Sequence, residues 1–235
     1  MGPKRRRASV DPLEIANAKT DQIFVDDYLT STAVEATPWT TTWLHPRTGQ
    51  KYSLNLQRAG NLSDEDLKAC FDLIAETSKG DYEASRGGWH PKKKLTEMRS
   101  PDLRYILVKD ENGCLAGFTS LMPTWEEGQP VVYCYEIHLK PHLQRTGLGR
   151  LLMGFLCTVA KNIPPVDKVM LTCFLSNERG LDFYGKLGFQ KDEISPVPRK
   201  LRFGKTFTPD YAILSKPISR PMLPPAVGEE SGSIT

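Results

Sequence analysis

Residues 131–153 read VVYCYEIHLKPHLQRTGLGRLLM, and this run constrains the fold more than any other in the chain. Val131 to Leu139 is rich in β-branched and aromatic residues, which predicts a long strand. Two glycines follow, Gly147 and Gly149. From Gly149 the apolar spacing predicts a helix to Asn162, stopped by Pro164 and Pro165. A strand that empties into a glycine loop opening a helix presents unpaired N–H groups at the positive end of the helix dipole. Glycine leaves those amides approachable because it has no Cβ, and Arg145 and Arg150 add charge. The pattern predicts an anion site of the phosphate-binding kind. It is not a Walker A loop, because Arg150-Leu151 stands where Lys-Ser/Thr is required. It is not the dinucleotide fingerprint either, because Leu152 stands where the third glycine would be. A glycine kept only to let the helix pack is the plainer alternative.

Around this unit the pattern continues in both directions. Residues 12–30 have loosely helical apolar spacing, and the threonines around Pro38 read as a linker. Lys51–Leu56 alternates as a strand. Ser63 is a helix N-cap, followed by the stripe Leu67, Cys70, Phe71 and Ile74 to about Ser78. Residues 80–91 read as a loop. Leu103–Val108 and Leu115–Leu121 read as a hairpin turning at Glu111-Asn-Gly113, and residues 123–130 as a polar loop. Val166–Phe174 reads as a strand. Ser176 or Asn177 caps a helix ending at Gly188, and Phe189 opens another strand. Residues 193–208 form a Pro-rich basic insertion, and Tyr211–Leu214 is a last strand. The element order is β-α-α-β-β-β-α-β-α-β-β, an α/β (α+β) chain with one mixed, mostly antiparallel sheet and helices on both faces.

The chain has 235 residues and a formal net charge of +3. The Lys4–Arg7 run supplies four positive charges, so the rest is nearly neutral. That excludes a broadly basic nucleic-acid binder and leaves a basic tag, readable as a nuclear-localisation signal, as a weak nucleic-acid contact or as a solvated, disordered terminus. No stretch approaches the length of a membrane span and no signal-peptide core is evident, so a nuclear and cytoplasmic protein is expected. The five cysteines, Cys70, Cys114, Cys134, Cys157 and Cys173, are widely spaced within apolar segments. They read as buried, reduced thiols, and no metal site is expected. Residues 1–11 are expected to be a disordered basic tail, 12–49 a helical extension and linker, and 217–235 a disordered tail.

The Gln144-x-x-Gly147-x-Gly149 spacing resembles the acetyl-coenzyme A loop of the GNAT acetyltransferase superfamily. Asn177 followed by Phe183-Tyr184-Gly-Lys-Leu-Gly-Phe189 resembles its capping Asn, its helical Tyr and its closing Gly-Phe. The resemblance implies a GNAT domain over residues 50–216 that uses acetyl-CoA and no metal. It implies that Ile137, His138 and Leu139 line the pantetheine arm. Gln144, Arg145, Thr146, Gly147, Leu148, Gly149 and Arg150 would hold the diphosphate, with Asn177 and Tyr184 also at the cofactor. More narrowly, Tyr82-Glu-x-Ser-x-x-Gly-Trp89, Tyr133-Cys-Tyr-Glu136 and Val169-Met-Leu-Thr172 are similar to the N-alpha-acetyltransferase D group. Gly87 departs from that pattern, since a second Trp is expected there in some relatives. This narrower resemblance implies a histone N-terminal peptide beginning Ser-Gly-Arg-Gly, as in histones four and two-A, as substrate. It also implies a monomer without auxiliary subunit, near chromatin or the ribosome, with no specific nucleic-acid or membrane partner.

Acetyl transfer needs a neutral amine, and a modest base suffices for an α-amino group. Glu136, in an apolar and aromatic strand, is the expected base, its pKa raised by that setting. A structural carboxylate is the alternative. Tyr184 is the expected acid to the thiolate, or else a packed aromatic. Strict alternation would put Tyr133, Tyr135, Ile137 and Leu139 on one face, and Cys134, Glu136 and His138 on the other. A bulge would be needed to bring Tyr133, the third expected catalytic residue, to the side of Glu136. A main-chain N–H near His138 or Leu139 is the expected oxyanion donor, and His138 itself reads more readily as a surface residue than as a relay. An acidic, aromatic groove of Tyr82, Trp89, Glu126, Glu127, Tyr133, Tyr135, Glu136, Thr172, Asp210 and Tyr211 is expected to take the peptide. A GNAT enzyme for lysine side chains or small amines, and an acetyl-CoA- or chromatin-binding module without turnover, are the competing readings.

Overall fold

A computed structural model of the chain describes residues 11–30, 36–200, 202–204 and 206–218. The Lys4–Arg7 run lies outside them, as do most of both expected tails. The parts of those tails that are described are ordered. Asp11 caps the first helix by accepting the Leu13 N–H at 2.9 Å, and Ile218 donates its N–H to Asp167 O at 2.8 Å.

Among the described residues the α-helices are α1 (Pro12–Ala18), α2 (Asp21–Phe24), α3 (Asp64–Ala84), α4 (Pro91–Met98), α5 (Leu148–Asn162) and α6 (Glu178–Lys186). The strands are β1 (Thr42–Leu44), β2 (Lys51–Arg58), β3 (Arg104–Lys109), β4 (Leu115–Glu126), β5 (Gln129–Leu139), β6 (Lys168–Phe174), β7 (Gln190–Lys191), β8 (Arg199–Lys200), β9 (Thr206–Phe207) and β10 (Tyr211–Pro217). Eight strands make one sheet in the order β1-β2-β3-β4-β5-β6-β10-β7. Every neighbouring pair is antiparallel except β5–β6. Helices α1, α2 and α5 cover one face, while α3 and α4 cover the other. The small β8–β9 hairpin lies inside the basic insertion.

Three departures from the sequence pattern bear on the site. Helix α3 does not stop at Ser78. It begins as expected, with Ser63 Oγ accepting the Asp66 N–H at 3.0 Å and three acidic residues in its first turn. It then runs through Gly80, which costs about 1 kcal/mol relative to Ala. Tyr82 offsets that cost by packing its ring against Trp89 (centroids 5.2 Å apart) and Phe174 (4.8 Å). Helix α4 is the second helix of the expected order, but PKKKLTEM has too few apolar residues to show a period. Its inward face is carried by Met98 and the aliphatic stem of Lys94, both buried. The expected polar loop at 123–130 is also wrong: β4 and β5 pair to the tip, Glu126 against Gln129. Glu127 and Gly128 alone make the turn, both at positive φ (47° and 78°), as a two-residue hairpin requires. One cysteine departs as well. Cys114 follows the Asn-Gly turn and is exposed.

The N-terminal extension is built into the domain. Arg104 on β3 is fully buried. Its Nη1 donates to Asp21 Oδ1 at 2.6 Å, its Nη2 to Lys19 O at 2.6 Å, and its guanidinium stacks on Phe24 at 4.1 Å. Burial pushes this guanidinium down to about 10; Arg58 adds to the effect and Asp21 opposes it. Asp21 also accepts from Arg58 N and from Asn61 Nδ2. Further along, Asn162 Nδ2 donates to Tyr28 O, and Thr37 N–H to Thr158 Oγ1 on α5. Removing Asp21 strands a buried cation. Asp21→Ala is therefore expected to lose about 3 kcal/mol of stability by urea denaturation. A loss under ~0.5 kcal/mol, as for a surface pair, would mean that the extension is held by other contacts.

Candidate active site

Strands β5 and β6 run side by side only from Val131↔Lys168 to Cys134↔Leu171. Beyond that point β5 stays with β4 and β6 stays with β10. The sheet splays, and a cleft of about 310 Å³ opens between Tyr135–Leu139 and Thr172–Phe174. Gln144, Asn177 and Tyr184 close its far side. Lys140 N–H donates to Ala116 O on β4. By antiparallel alternation the main-chain groups of Ile137 and Leu139 then face the cleft rather than β4. Gln144 Nε2 reaches Leu139 O from that side at 3.1 Å. The outward-facing N–H groups are therefore those of Ile137 and Leu139, not of His138.

The β4–β5 register shifts between Ser120 and Leu121. Ser120 faces Glu136 while Leu121 faces Cys134, so Tyr135 is the extra residue of a bulge. The bulge reverses the phase of the strand, which corrects the alternation expected from sequence. Cys134, Ile137 and Leu139 pack on the α5 face. Tyr135 packs on the α3–α4 face, where Glu136 meets Lys94 of α4 and His138 meets Thr77 of α3. Tyr133 lies on that side too, its ring 5.1 Å from Tyr135, and its hydroxyl 2.6 Å from Thr172 Oγ1 across the splay. Burial raises the phenols of Tyr82, Tyr133 and Tyr135 to about 12.

Glu136 and His138 are each only 8% exposed, so His138 is not a surface residue. Glu136 Oε1 accepts from Lys94 Nζ at 2.9 Å, and Oε2 lies 2.5 Å from His138 Nε2. Lys94 Nζ also donates to Glu97 Oε1 at 2.7 Å and lies 5.1 Å from the Tyr82 ring centre. Burial alone would raise the Glu136 pKa, but the His138 hydrogen bond and the Lys94 charge outweigh it. The carboxyl is held below its ordinary value, which overturns the expected rise. Burial would lower the Lys94 ammonium, but Glu136, Tyr82 and Glu97 hold it above its ordinary value. Nothing in the sequence pattern marks Lys94, Glu97 or Thr77 as site residues. Lys94 sits in a run of three lysines that reads as a solvated face.

The glycine loop combines two kinds of constraint. Gly147 is the N-cap of α5 at φ 92°, and no side chain caps the helix. The first-turn amides are thus left for a ligand, as an anion would require. At Gly149 a Cβ would come within 3.2 Å of Phe183, so this glycine also admits α6 against α5. Leu148 is buried in the core and can offer only its main chain. Thr146 Oγ1 donates to Leu143 O. Arg145, at φ 60°, lines a separate basic pocket with Arg47, and Arg150 lines another with Lys161 and Lys216. Asn177 Oδ1 accepts the Gly180 N–H at 2.8 Å and caps α6. Burial raises the Tyr184 hydroxyl well above its ordinary value, with Cys134, Cys173 and Glu136 adding to the effect.

A second hollow, of about 410 Å³, adjoins the cleft and shares Tyr82 and Phe174 with it. Trp89, Glu97, Asp210 and Tyr211 line it, but so do Arg86, Lys93 and Lys94. It is mixed in charge rather than acidic. Asp210 Oδ2 is already engaged by the Arg86 N–H at 2.6 Å. Glu126 lines neither hollow. It is partly buried near Tyr133 and Tyr135, with its carboxyl raised by burial and by Glu127. Among the described residues no group of three or more His, Cys, Asp or Glu could hold a metal ion.

The overall fold is similar to that of solved structures. Arabidopsis thaliana NAA60 in complex with a bisubstrate analogue superposes with a TM-score of 0.52 at 11% identity, covering 71% of this chain and 100% of that one. PH1933 from Pyrococcus horikoshii OT3 does so at 0.51 and 17%, covering 72% and 100%. Residues 67–189, just over half of the chain, match the family described as "Acetyltransferase (GNAT) family". The chain belongs to that family. N-alpha-acetyltransferase 40 of Saccharomyces cerevisiae is 36% identical over 168 residues, 62% of this chain. The match spans 59% of that relative's length.

The depressed carboxyl has a consequence for stability. A group that ionises more readily in the folded chain stabilises it above its unfolded pKa, and that contribution disappears as pH falls through the folded value. The stability difference between the native chain and Glu136→Gln is therefore expected to narrow as the pH drops below about 4.5. Urea denaturation at a series of pH values reads this directly, and a difference that stays constant would contradict the ionised assignment.

Proposed function

We propose that the chain is an acetyl-CoA-dependent N-terminal α-amine acetyltransferase whose substrate is the Ser-Gly-Arg-Gly start of histones four and two-A. The observation that carries this reading is the bulge at Tyr135. It turns Tyr133, Tyr135, Glu136 and His138 to one side of the sheet, where the splay cleft adjoins the aromatic hollow. The yeast relative's name supports an N-terminal rather than a side-chain amine. The finer substrate rests on the Tyr82–Trp89 and Tyr133–Glu136 segments.

The cofactor fits the residues present. The uncapped α5 amides from Gly147 onward would hold its diphosphate, and the free edge of β5 at Ile137 and Leu139 would hold its amide arm. When bound, acetyl-CoA supplies an activated acyl carbonyl. The chain's own residues then have three tasks. The Tyr82–Trp89–Tyr211 hollow admits the peptide, and the carboxylates of Glu97 and Asp210 face its cationic side chain. Glu136 receives the proton that the amine gives up as the new N–C bond forms. Tyr184, kept protonated by its surroundings, donates to the departing sulfur as the C–S bond breaks.

A peptide that begins Ser-Gly-Arg-Gly and carries a lysine further on is expected to be acetylated, and its N-blocked counterpart, which keeps the lysine, left untouched. Activity on the blocked peptide would instead favour a lysine acetyltransferase. Glu136→Gln is expected to lower turnover by roughly 10²- to 10⁴-fold while leaving acetyl-CoA affinity unchanged. Equal losses in both would make Glu136 structural. Gly147→Glu is expected to abolish acetyl-CoA binding by calorimetry, because a side chain strains the left-handed position and its charge repels the diphosphate. Unchanged affinity would break the loop assignment.

A further inference from the structure

Glu136 has a second sphere that reaches into α3. Thr77 Oγ1 lies 2.7 Å from Leu73 O and 2.6 Å from His138 Nδ1. A hydroxyl carries one hydrogen, and a carbonyl can only accept, so that hydrogen goes to Leu73. His138 Nδ1 must then carry the hydrogen of the other contact. On its far side His138 Nε2 lies 2.5 Å from Glu136 Oε2. That contact also needs a hydrogen, from the ring or from the carboxyl. In this arrangement the histidine and the carboxylate hold one more proton between them than a neutral imidazole and a free carboxylate would.

Losing that proton forces a rearrangement. With an Nδ1–H ring, the lone pair of Nε2 would point at a bare carboxylate, which is repulsive. The neutral ring is acceptable only as the Nε2–H tautomer, with Nδ1 accepting. The donor available to Nδ1 is Thr77, whose hydroxyl would have to leave Leu73. Such a turn is open to it, because hydroxyl hydrogens rotate to suit their partners.

We propose that Thr77 is a positioning residue that controls, through His138, when Glu136 is free to act as a base. With the hydroxyl on Leu73 O the pair is loaded with its extra proton and cannot take another. With the hydroxyl on Nδ1 the pair is empty, the Nε2–H tautomer is fixed, and the proton surrendered by the amine can be shared between Glu136 and His138. No other reactant is consumed. The pair loads from and unloads to bulk water, and the hydroxyl only exchanges acceptors. The other titratable and charged groups facing the pair are Tyr82 from α3, Lys94 and Glu97 from α4, Tyr105 from β3, Cys134 on β5 and Tyr184 from α6. Thr77→Val removes none of them.

This inference rests on Glu136 as the base of the proposed acetyl transfer, and one of its tests is independent of that reading. The first test is the kcat/KM pH profile of Thr77→Val with the Ser-Gly-Arg-Gly peptide. Valine keeps the shape and removes the acceptor of the charged Nδ1–H. The loaded state loses more than the empty one, because hydrogen bonds from charged donors are the stronger. The acid limb is expected to move to lower pH by roughly one unit, and Thr77→Ser is expected to restore it. A limb that stays in place while activity falls evenly across pH would reduce Thr77 to a packing role. The second test is the long-range ¹H–¹⁵N spectrum of the His138 ring in the unaltered protein, free of peptide and cofactor. Both nitrogens are expected to be protonated in the loaded state and Nε2 alone after the proton leaves. An Nδ1–H tautomer in the emptied state would overturn the proposal, whether or not the valine variant folds and whatever the substrate is.

Discussion

The place where β5 lets go of β6 governs the rest of the structure. Parallel pairing holds through four residues of each strand and then fails. It fails beside the bulge at Tyr135, which shifts β5 against β4. A bulge bends its strand and adds local twist, and here the bend carries Tyr135–Leu139 away from Thr172–Phe174. The same extra residue reverses the side-chain phase. One backbone irregularity therefore opens the cleft, exposes main-chain groups along its wall and gathers Tyr133, Tyr135, Glu136 and His138 on the side reached by α3 and α4. Without it the tyrosines and the carboxylate would lie on opposite faces of the sheet.

Helix α3 and helix α4 supply what the strand lacks. The extra turns of α3 past Gly80 bring Tyr82 over the site, and Thr77 on the same helix meets His138. Helix α4 inserts Lys94 between Glu97 and Glu136. The N-terminal extension acts at a distance from these residues. It clamps β3 through Arg104 and α5 through Thr158.

The legible and illegible parts of the chain divide on physical grounds. The glycine loop could be read because a left-handed cap and an uncapped helix start require particular residues at fixed spacing. Tyr135 gives no sign of the bulge in its own identity. Register is a property of two strands, and VVYCYEIHL alternates acceptably in either phase. Helix α4 was hidden because a buried lysine stem does the work of an apolar residue, and Lys92-Lys93-Lys94 looks like a surface run. The expected rise in the Glu136 pKa followed from its apolar neighbours in sequence. What reverses it is the hydrogen bond with His138, two positions on, aided by the Lys94 cation from 42 positions away.

Buried ionic groups of this kind seldom contribute much to stability. Their desolvation cost can exceed their attraction, and well-packed apolar residues often serve better. Lys94, Glu136 and His138 are nonetheless all buried together, so their justification lies in charge placement. In the loaded state proposed above the group is balanced: the Lys94 ammonium and the extra proton offset Glu97 and Glu136. When that proton leaves, the group carries one net negative charge in a setting of low polarizability, where an unbalanced charge is felt strongly. On the proposed function, an incoming peptide ammonium would supply the missing positive charge at the moment when its own proton has somewhere to go. The state that can accept a proton is thus also the state that attracts the group that must lose one. In the proposed acetyl transfer, binding and activation of the amine would follow from the same deficit.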